Sequence, residues 1–148
     1  MNRKAIRAGA RISDLITVED VMIREEDIVT GLVINWSAVS WSRLHADPLT
    51  IRSKTVIDAT GHASEVCRIV VKKIGPKLHT STGDVIGEKP MWAEKGEKEI
   101  IENTKEIYPG LIVVGVAANA VFGSPRMGAR MLLSGKRAAE IALEKLRS

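Results

Sequence analysis

His45, Asp47 and His62 are the residues whose types and spacing could support chemistry in this sequence. His45 and Asp47 lie two positions apart in "LHADP", and His62 follows in "DATGH". In an extended segment, residues two apart point to the same side of the chain, so His45 and Asp47 would share a face. Two imidazoles and a carboxylate are the ligand set that Fe(II) prefers in non-haem enzymes. The pattern is consistent with an iron site, and also with histidines that are ordinary surface or hydrogen-bonded loop residues.

His62 lies between a predicted strand and a predicted helix. The apolar segment "TVIDATG" is typical of a short buried strand that runs into a glycine turn, and Ser64 to Lys73 has helical spacing. His62 therefore follows the C-terminal end of a buried strand, where α/β sheets place ligands. The inward residues of the predicted helix are Val66, Ile69 and Val70.

Cys67 is the only cysteine of the chain, which excludes an intrachain disulfide framework and a zinc site built from several thiolates. A single cysteine fits a reducing cytosol, so the expected location is cytoplasmic. Cys67 lies in the middle of the predicted helix, on a face that we expect to be half-buried. Packing is therefore favoured over nucleophilic chemistry for this thiol.

A second candidate site is the glycine-containing segment "VVGVAANAVFGSPRMG", which follows a predicted strand and precedes a predicted helix. Bare backbone amides and a helix N-terminus at such a place can receive a phosphate or a carboxylate. Arg126 would add a two-pronged donor for an anion. The spacing G-x-G-x-x-G is absent from the chain, so a tight strand-to-helix turn without a ligand is an equal alternative.

The first half of the chain is predicted to be rich in β-structure. Lys4 to Gly9 is typical of the last turn of a helix, and Arg11 to Arg24 of an extended segment. The β-branched residues 27–39 suit a pair of strands, with "EED" as the turn before them.

The second half alternates predicted helices and strands. After a long surface loop from Gly75 to Pro90, expected to be the least ordered part, we predict an amphipathic helix over residues 94–108 and a buried strand over residues 111–120. A final helix is predicted from Ala129 to Arg147. Its inward face would be formed by Leu132, Ala139, Ala142, Leu143 and Leu146. This alternation predicts an α/β fold with a β-rich insertion between Arg11 and Ile57.

Composition predicts a single globular domain over residues 1–148, because 45% of the residues are hydrophobic and 27% are charged. The net charge of +4 comes from basic residues interleaved with acidic ones, and only three Trp, one Tyr and one Phe could stack on bases. We therefore expect no nucleic-acid partner. No apolar run reaches membrane-spanning length, and the first residues lack the apolar core of a signal peptide, so no membrane partner is expected.

Six ordered segments together resemble one family. They are "GLVINWSAV", "LHADPLTI", "VIDATGH", "GEKPMWAEKGE", "YPGLIVVGVAANAVFGSPRMG" and "LLSGKRAAEIALEKL", running from about Gly31 to Leu146. In this order they resemble the C-terminal part of thiamine thiazole synthase of the archaeal type. The resemblance implies a dinucleotide-binding fold related to that of glutathione reductase, assembled as a homo-octamer. It also implies synthesis of the adenylated thiazole precursor of thiamine from NAD, glycine and a sulfur source, with Fe(II).

The resemblance assigns roles to the candidate site residues. Asp47 and His62 match the iron ligands of the family, and the aspartate reaches the metal from a neighbouring subunit. His45 matches the catalytic position at which eukaryotic members carry the cysteine that surrenders its sulfur. Because histidine has no sulfur to give, the implied donor is free sulfide. Two protein ligands thus replace the three-residue site suggested by spacing alone, which leaves metal positions open for substrates.

The remaining matches concern NAD and glycine. The NAD contacts of the family are matched by Val18 on the adenine side and by His45, Ala46, Asp47 and Val116. Arg126 matches the arginine that grips the glycine carboxylate, a task that suits a planar guanidinium.

The chain departs from the family pattern in two places. It lacks the N-terminal third, with the glycine-rich phosphate loop and the acidic residue for ribose, so we expect a partial dinucleotide-binding fold without its N-terminal βαβ unit. After "RMG", Ala129 and Arg130 lead directly into "MLLSGK", where the family usually has several more residues. We therefore expect an oligomer that makes no detectable adenylated thiazole on its own. The alternatives are a non-catalytic oligomeric remnant that binds metal or adenine nucleotide weakly, and a fragment of a flavin-dependent reductase of the same superfold.

Overall fold

Two three-stranded sheets and six α-helices are present in the computed structural model, which describes residues 2–24, 27–127 and 132–147. The strands are β1 Ile16–Arg24, β2 Ile28–Trp36, β3 Leu49–Arg52, β4 Val56–Asp58, β5 Lys105–Tyr108 and β6 Leu111–Val113. The helices are α1 Asn2–Arg7, α2 Ser37–Trp41, α3 Glu65–Ile74, α4 Ala93–Asn103, α5 Val116–Phe122 and α6 Leu132–Arg147. A short 3₁₀ helix covers Gly61–Ala63. The predicted mixed α/β composition is confirmed.

The first sheet is antiparallel, in the order β1-β2-β3. The extended segment predicted up to Arg24 is confirmed as β1, and α1 ends near Gly9, which has φ +92°. The strand pair predicted over residues 27–39 is wrong, because this segment is the single strand β2 followed by the start of α2. Gly31 is not a turn residue: it lies inside β2, where its missing side chain lets the backbone of Ile51 in β3 approach closely. The first two residues of the predicted "EED" turn lie outside the described residues.

The second sheet has the order β4-β6-β5, with β4 parallel and β5 antiparallel to β6. The helix predicted over residues 94–108 ends early, at Asn103. The Thr104 hydroxyl donates to the Ile100 carbonyl oxygen at 2.7 Å, and the chain then continues as β5 with Ile107 and Tyr108 buried. The strand predicted over residues 111–120 is likewise short, because Gly115 at φ +67° turns the chain into α5.

The main core lies where α3, the second sheet and α5 meet, and β1 packs against α3. The predicted strand-turn-helix unit from Val56 is confirmed as β4, the 3₁₀ helix and α3. The inward face of α3 consists of Val66, Cys67 and Val70, whereas Ile69 is only partly buried. The expectation of a half-buried Cys67 is therefore wrong, because the thiol is fully buried.

The segment from Gly75 to Pro90 forms no helix or strand, as predicted, but it is held firmly against the core. Leu78 and Val85 are buried, the His79 amide donates to the Ile107 carbonyl oxygen at 2.7 Å, and the Ile86 amide donates to the Val121 carbonyl oxygen at 3.2 Å. The expectation that this is the least ordered part of the chain is not supported by these contacts.

Helix α6 confirms most of the predicted final helix, whose residues 129–131 lie outside the described part. Its predicted inward face is wrong apart from Ala142. The buried residues are Ser134, Ala138 and Ala142, while Leu132, Ala139, Leu143 and Leu146 are exposed. Small side chains let α6 pack closely on Ile112 and Val114, and the leucines point away. None of the described helices is both long enough and apolar enough to cross a membrane.

Candidate functional site

Asp58, at the end of β4, organises the turn that carries His62. Its side chain is fully buried and accepts hydrogen bonds from the Thr60 amide at 2.9 Å, the Thr60 hydroxyl at 2.7 Å and the Cys67 amide at 2.9 Å. The Thr60 hydroxyl oxygen in turn accepts from the Glu65 amide at 2.7 Å. These contacts satisfy amides in the first turn of α3. The turn between β4 and α3, with His62 in it, is thereby fixed.

His62 lies between a carboxylate and a guanidinium. Its Nδ1 atom is 2.7 Å from one carboxylate oxygen of Glu88 and 2.8 Å from the other, and its Nε2 atom is 3.2 Å from a guanidinium nitrogen of Arg126. The His62 side chain is 43% exposed and that of Glu88 15%. We refer to His62, Glu88 and Arg126 as the His62 cluster. It is open to solvent on one side and closed on the Glu88 side.

The backbone brings Glu88 and Arg126 to the same histidine. Lys89 and Pro125 form an isolated parallel bridge, in which the Lys89 amide donates to the Ser124 carbonyl oxygen and the Arg126 amide donates to the Lys89 carbonyl oxygen, each at 3.1 Å. Glu88 and Arg126 are adjacent in sequence to the bridged residues. The bridge therefore fixes the backbone positions from which both side chains extend.

A buried amide network supports the loop that carries Arg126. Asn119, which is fully buried, donates to the Gly96 carbonyl oxygen at 3.0 Å and accepts from the Asn103 side chain at 3.0 Å. The Asn103 amide also donates to the Ser124 hydroxyl at 2.8 Å. Helix α4 lies so close that a Cβ atom at Gly96 would be 2.6 Å from the Pro125 carbonyl oxygen. The loop therefore has little freedom to move relative to α4 and α5.

The hydrogen bonds of the cluster specify one form of the His62 ring. A guanidinium group only donates hydrogen bonds, so Nε2 must accept from Arg126. The ring proton is then on Nδ1, where it is donated to Glu88. This assignment follows from the hydrogen-bond network, and it leaves the Nε2 lone pair directed at Arg126.

His45 and Ala46 lie in a separate cleft beside the first sheet. This cleft of about 290 Å³ is lined by Glu19, Asn35, Val39, Ser40, Leu44, His45, Ala46 and Pro48. The Asn35 side-chain amide donates to the Ala46 carbonyl oxygen at 3.4 Å, which ties the loop after α2 to β2. His45 and Asp47 are both exposed.

The structure therefore brings together some of the predicted site residues and separates others. His62 and Arg126 are in contact. Their separation of 64 positions gives no spacing from which this contact could have been predicted. The described residues contain no group of three or more His, Cys, Asp or Glu side chains that could hold a metal ion, so His45, Asp47 and His62 do not form one ligand set within a chain. The assignment of Asp47 to a metal held by another copy stays a prediction.

The two remaining NAD positions also lie apart. Val18 is half-buried in β1, pairs with Ile34 and packs against the main core. Val116 begins α5 and lines a cavity of about 240 Å³ together with Ala59, Val114, Gly115, Ser134 and Gly135. This cavity lies at the strand-to-helix turn that the sequence marks as a candidate anion site.

Cys67 is not part of any accessible site. Burial raises the pKa of its thiol far above the usual range, and the negative charge of Asp58 raises it further. A thiol that stays protonated and enclosed can act neither as a nucleophile nor as a sulfur donor.

Glu88 is the residue of the cluster that the sequence did not reveal. It occurs within the family-like segment "GEKPMWAEKGE", but it is 26 positions from His62 and belongs to a segment without regular structure. Only the Lys89–Pro125 bridge brings it into place, so no local pattern could have identified it.

Comparison with known proteins gives consistent matches. The model of the Thi4 family matches residues 1–131. Thiamine thiazole synthase of Methanothermobacter thermautotrophicus is 54% identical over 147 residues, which are 97% of this chain and 57% of that protein. The enzyme of the same name from Methanothrix thermoacetophila is 57% identical over 145 residues, which are 96% of this chain and 55% of that protein.

A solved structure matches equally well. The crystal structure of Thermovibrio ammonificans THI4 superposes with a TM-score of 0.94 at 47% identity, covering 99% of this chain and 58% of the other. The chain thus spans a little over half the length of the relatives that it matches. Since the family match extends over most of the sequence and the fold agrees along almost all of it, the chain belongs to the Thi4 family.

Proposed function

We propose that this chain carries the iron and glycine end of a thiamine thiazole synthase, which forms the adenylated thiazole precursor of thiamine from NAD, glycine and sulfide. The names of the relatives support a role in making the thiazole of thiamine. The observation that carries the proposal is the 3.2 Å contact between His62 and Arg126. An imidazole nitrogen and a guanidinium this close together could both contact one small molecule, the first through a bound metal and the second through a carboxylate.

The donor atoms suit Fe(II). An imidazole nitrogen with an available lone pair, joined by a carboxylate oxygen, is a donor set that fits this ion. His62 would supply the nitrogen, and Asp47 of a neighbouring copy the oxygen. When bound there, Fe(II) would supply a Lewis acid and a template for substrate.

Arg126 would orient glycine. Its guanidinium is exposed and can form paired hydrogen bonds with a carboxylate. A carboxylate held by Arg126 would draw the guanidinium away from Nε2, which would leave that lone pair free. In this proposal, the same movement of Arg126 binds the carboxylate of glycine and frees Nε2 of His62 for the metal.

The sulfur would come from outside the chain. Cys67, the only cysteine, is enclosed and protonated, and by resemblance to the family His45 matches the position of the sulfur-donating cysteine. Free sulfide is the donor that is consistent with both observations. His45 would then donate no sulfur, and its proposed catalytic part is limited to lining a cleft for substrate.

NAD is proposed to bind along the segment from His45 to Asp47, with Val18 and Val116 as further contacts. The parallel pair β4 and β6, with α3 after the first strand and a glycine turn after the second, is consistent with part of a dinucleotide-binding fold. Of the two valines, Val116 lines an open cavity, whereas Val18 packs on the core. The proposal is therefore better supported for Val116.

A homo-oligomer, as large as an octamer by resemblance to the family, is proposed from the surroundings of Asp47. Large apolar side chains are exposed in β2, in β3 and in the segment between them, which contains Asp47, namely Trp36, Trp41, Leu44, Leu49 and Ile51. Exposed apolar side chains gathered in this way are typical of a surface that binds another protein. A second copy bound there would bring its own site close to Asp47.

A chimeric enzyme tests the proposal. This chain would replace the matching part of the Methanothermobacter thermautotrophicus enzyme, and the product from NAD, glycine, sulfide and Fe(II) would be followed by mass spectrometry without oxygen. We expect adenylated thiazole from the chimera and none after His62→Ala or Arg126→Ala. His79→Ala, at an exposed histidine, is the matched control. Undiminished product from a folded His62→Ala chimera would contradict the proposal.

A further inference from the structure

We propose that Glu88 is the positioning residue of His62, which holds the imidazole in the Nδ1–H tautomer and fixes the plane of the ring. The metal-binding consequence rests on the proposed function, but the tautomer itself does not.

The geometry of Glu88 is that of a fixed acceptor. Both of its carboxylate oxygens lie within hydrogen-bond distance of Nδ1, at 2.7 Å and 2.8 Å. The residues on either side anchor it, since the Gly87 amide donates to the Ala120 carbonyl oxygen at 2.9 Å and the Lys89 amide to that of Ser124 at 3.1 Å. The Glu88 side chain is 15% exposed, so packing restricts it further. An acceptor that starts from such a fixed backbone can dictate the ring orientation.

The second contact of His62 explains why this acceptor is needed. With Arg126 in place, both neighbours favour the same tautomer, because an Nε2–H group would face the N–H groups of a guanidinium. When Arg126 turns to a carboxylate ligand, Glu88 alone opposes the other tautomer. Glu88 thus keeps the Nε2 lone pair available at the moment when a metal ligand is required.

A contribution to folding alone does not account for this contact. Pairs of charged side chains that are partly exposed contribute about 0–1 kcal/mol to stability. The loop is already fastened by the Lys89–Pro125 bridge and the Asn119 network. The loop therefore does not depend on the Glu88 side chain, and the contact with His62 has another purpose.

The tautomer can be measured without metal. In protein labelled with ¹⁵N-histidine, two-bond ¹H–¹⁵N correlation spectra at one fixed pH distinguish Nδ1–H from Nε2–H rings. We expect His62 to show the Nδ1–H pattern in the wild-type chain and in Glu88→Gln, whose amide oxygen still accepts. Because Arg126 also favours the Nδ1–H ring, the decisive comparison removes it. Arg126→Ala should keep the Nδ1–H pattern, and Glu88→Ala/Arg126→Ala should show a mixture of both tautomers. His45 and His79 serve as internal controls, and the His62 signal is assigned by its loss in His62→Gln.

Metal binding supplies the second measurement, with Co(II) titration followed by its visible absorption. Glu88→Ala should weaken binding about 10–100-fold, the usual effect of removing a carboxylate behind a metal-bound histidine. Glu88→Gln should stay within about threefold of wild type, as should Glu102→Ala, a change at an exposed glutamate.

The outcomes separate this inference from the proposed function. A wild-type chain that binds no Co(II) but shows the Glu88-dependent tautomer would contradict the metal site and leave the positioning role intact. An unchanged Nδ1–H pattern in folded Glu88→Ala/Arg126→Ala would overturn the positioning role, whatever the metal does. A Glu88-dependent tautomer together with unchanged Co(II) affinity in Glu88→Ala would contradict the metal-binding consequence and leave the positioning of the ring intact.

Discussion

The Nε2 atom of His62 lies 3.2 Å from a guanidinium nitrogen of Arg126, although the two residues are 64 positions apart. His62 follows β4 and Arg126 follows the parallel strand β6 through α5. The carboxyl ends of parallel strands open onto the same edge of a sheet, which is where α/β proteins place ligands. The contact therefore joins two separate sequence signals, a histidine after a strand and an arginine after a glycine turn, into one site.

Arg126 is predicted to bind carboxylate and to compete with metal for His62. Arg126→Ala should weaken glycine binding about 10–100-fold, because a charge-assisted hydrogen-bonded pair is lost. The same change should leave Co(II) affinity unchanged or raise it, since Nε2 is uncovered. Arg126→Lys should restore only part of the glycine binding. Calorimetric titrations with each ligand measure both effects, and equal glycine affinity in wild type and Arg126→Ala would contradict this role.

Asp58 is predicted to be essential for the fold of the site rather than for its chemistry. Asp58→Asn should destabilise the chain by about 2–4 kcal/mol, because an amide group cannot accept all three hydrogen bonds and leaves buried donors unpaired. Asp14→Asn, at an exposed aspartate, should change stability by less than about 0.5 kcal/mol. Urea unfolding measures both variants. A loss no larger than that of the control would show that Asp58 does not organise the turn.

Gly96 and Gly135 offer a matched pair of helical glycines. A Cβ at Gly96 would meet the Pro125 carbonyl oxygen at 2.6 Å and the Met127 Cβ at 2.9 Å, whereas a Cβ at Gly135 would meet no described atom within 4 Å apart from its chain neighbours and the backbone of its own helix. Gly96→Ala should therefore displace the Arg126 loop and lower thermal stability. Gly135→Ala should raise stability by up to about 1 kcal/mol through helix propensity. Thermal unfolding that moves in the same direction for both variants would contradict the close packing of α4.

The ion pair between Asp20 and Lys73, at 2.5 Å, should make stability depend on pH. Burial alone would raise the pKa of Asp20, but the bond to Lys73 and the Val21 amide outweigh it and leave this pKa lowered. A carboxyl with a lowered folded-state pKa stabilises the fold above its usual pKa, and this contribution is lost as the pH falls through the lowered value.

The measurement compares Asp20→Asn with wild type in urea at several pH values. Because both side chains are partly exposed, the difference at neutral pH should be below about 1 kcal/mol. The difference should disappear at the acid end of the series. If the difference in stability between wild type and Asp20→Asn instead grew as the pH fell, the lowered pKa of Asp20 would be contradicted.

The elements predicted correctly are those that local sequence patterns determine. A continuous apolar run identified β4, helical spacing identified α3, and the extended segment that ends at Arg24 contains β1. The errors arose where tertiary contacts decide: the residues after α4 pair with β6 as strand β5 instead of continuing the helix, and small residues of α6 pack where leucines were expected. Within the site, His62 and Arg126 were named from motifs, but Glu88 was not, because only tertiary pairing brings its segment to the histidine.

The central claim is that His62 binds iron together with Asp47 of a neighbouring copy. Anaerobic Fe(II) titration of Asp47→Ala, of His62→Ala and of an equal mixture of the two after subunit exchange tests it most directly. We predict that each variant alone loses the site, that the mixture regains about a quarter of the wild-type sites by random pairing of subunits, and that His45→Ala is affected less. Wild-type binding by His62→Ala, or two inactive variants whose mixed oligomers regain no sites, would contradict the account.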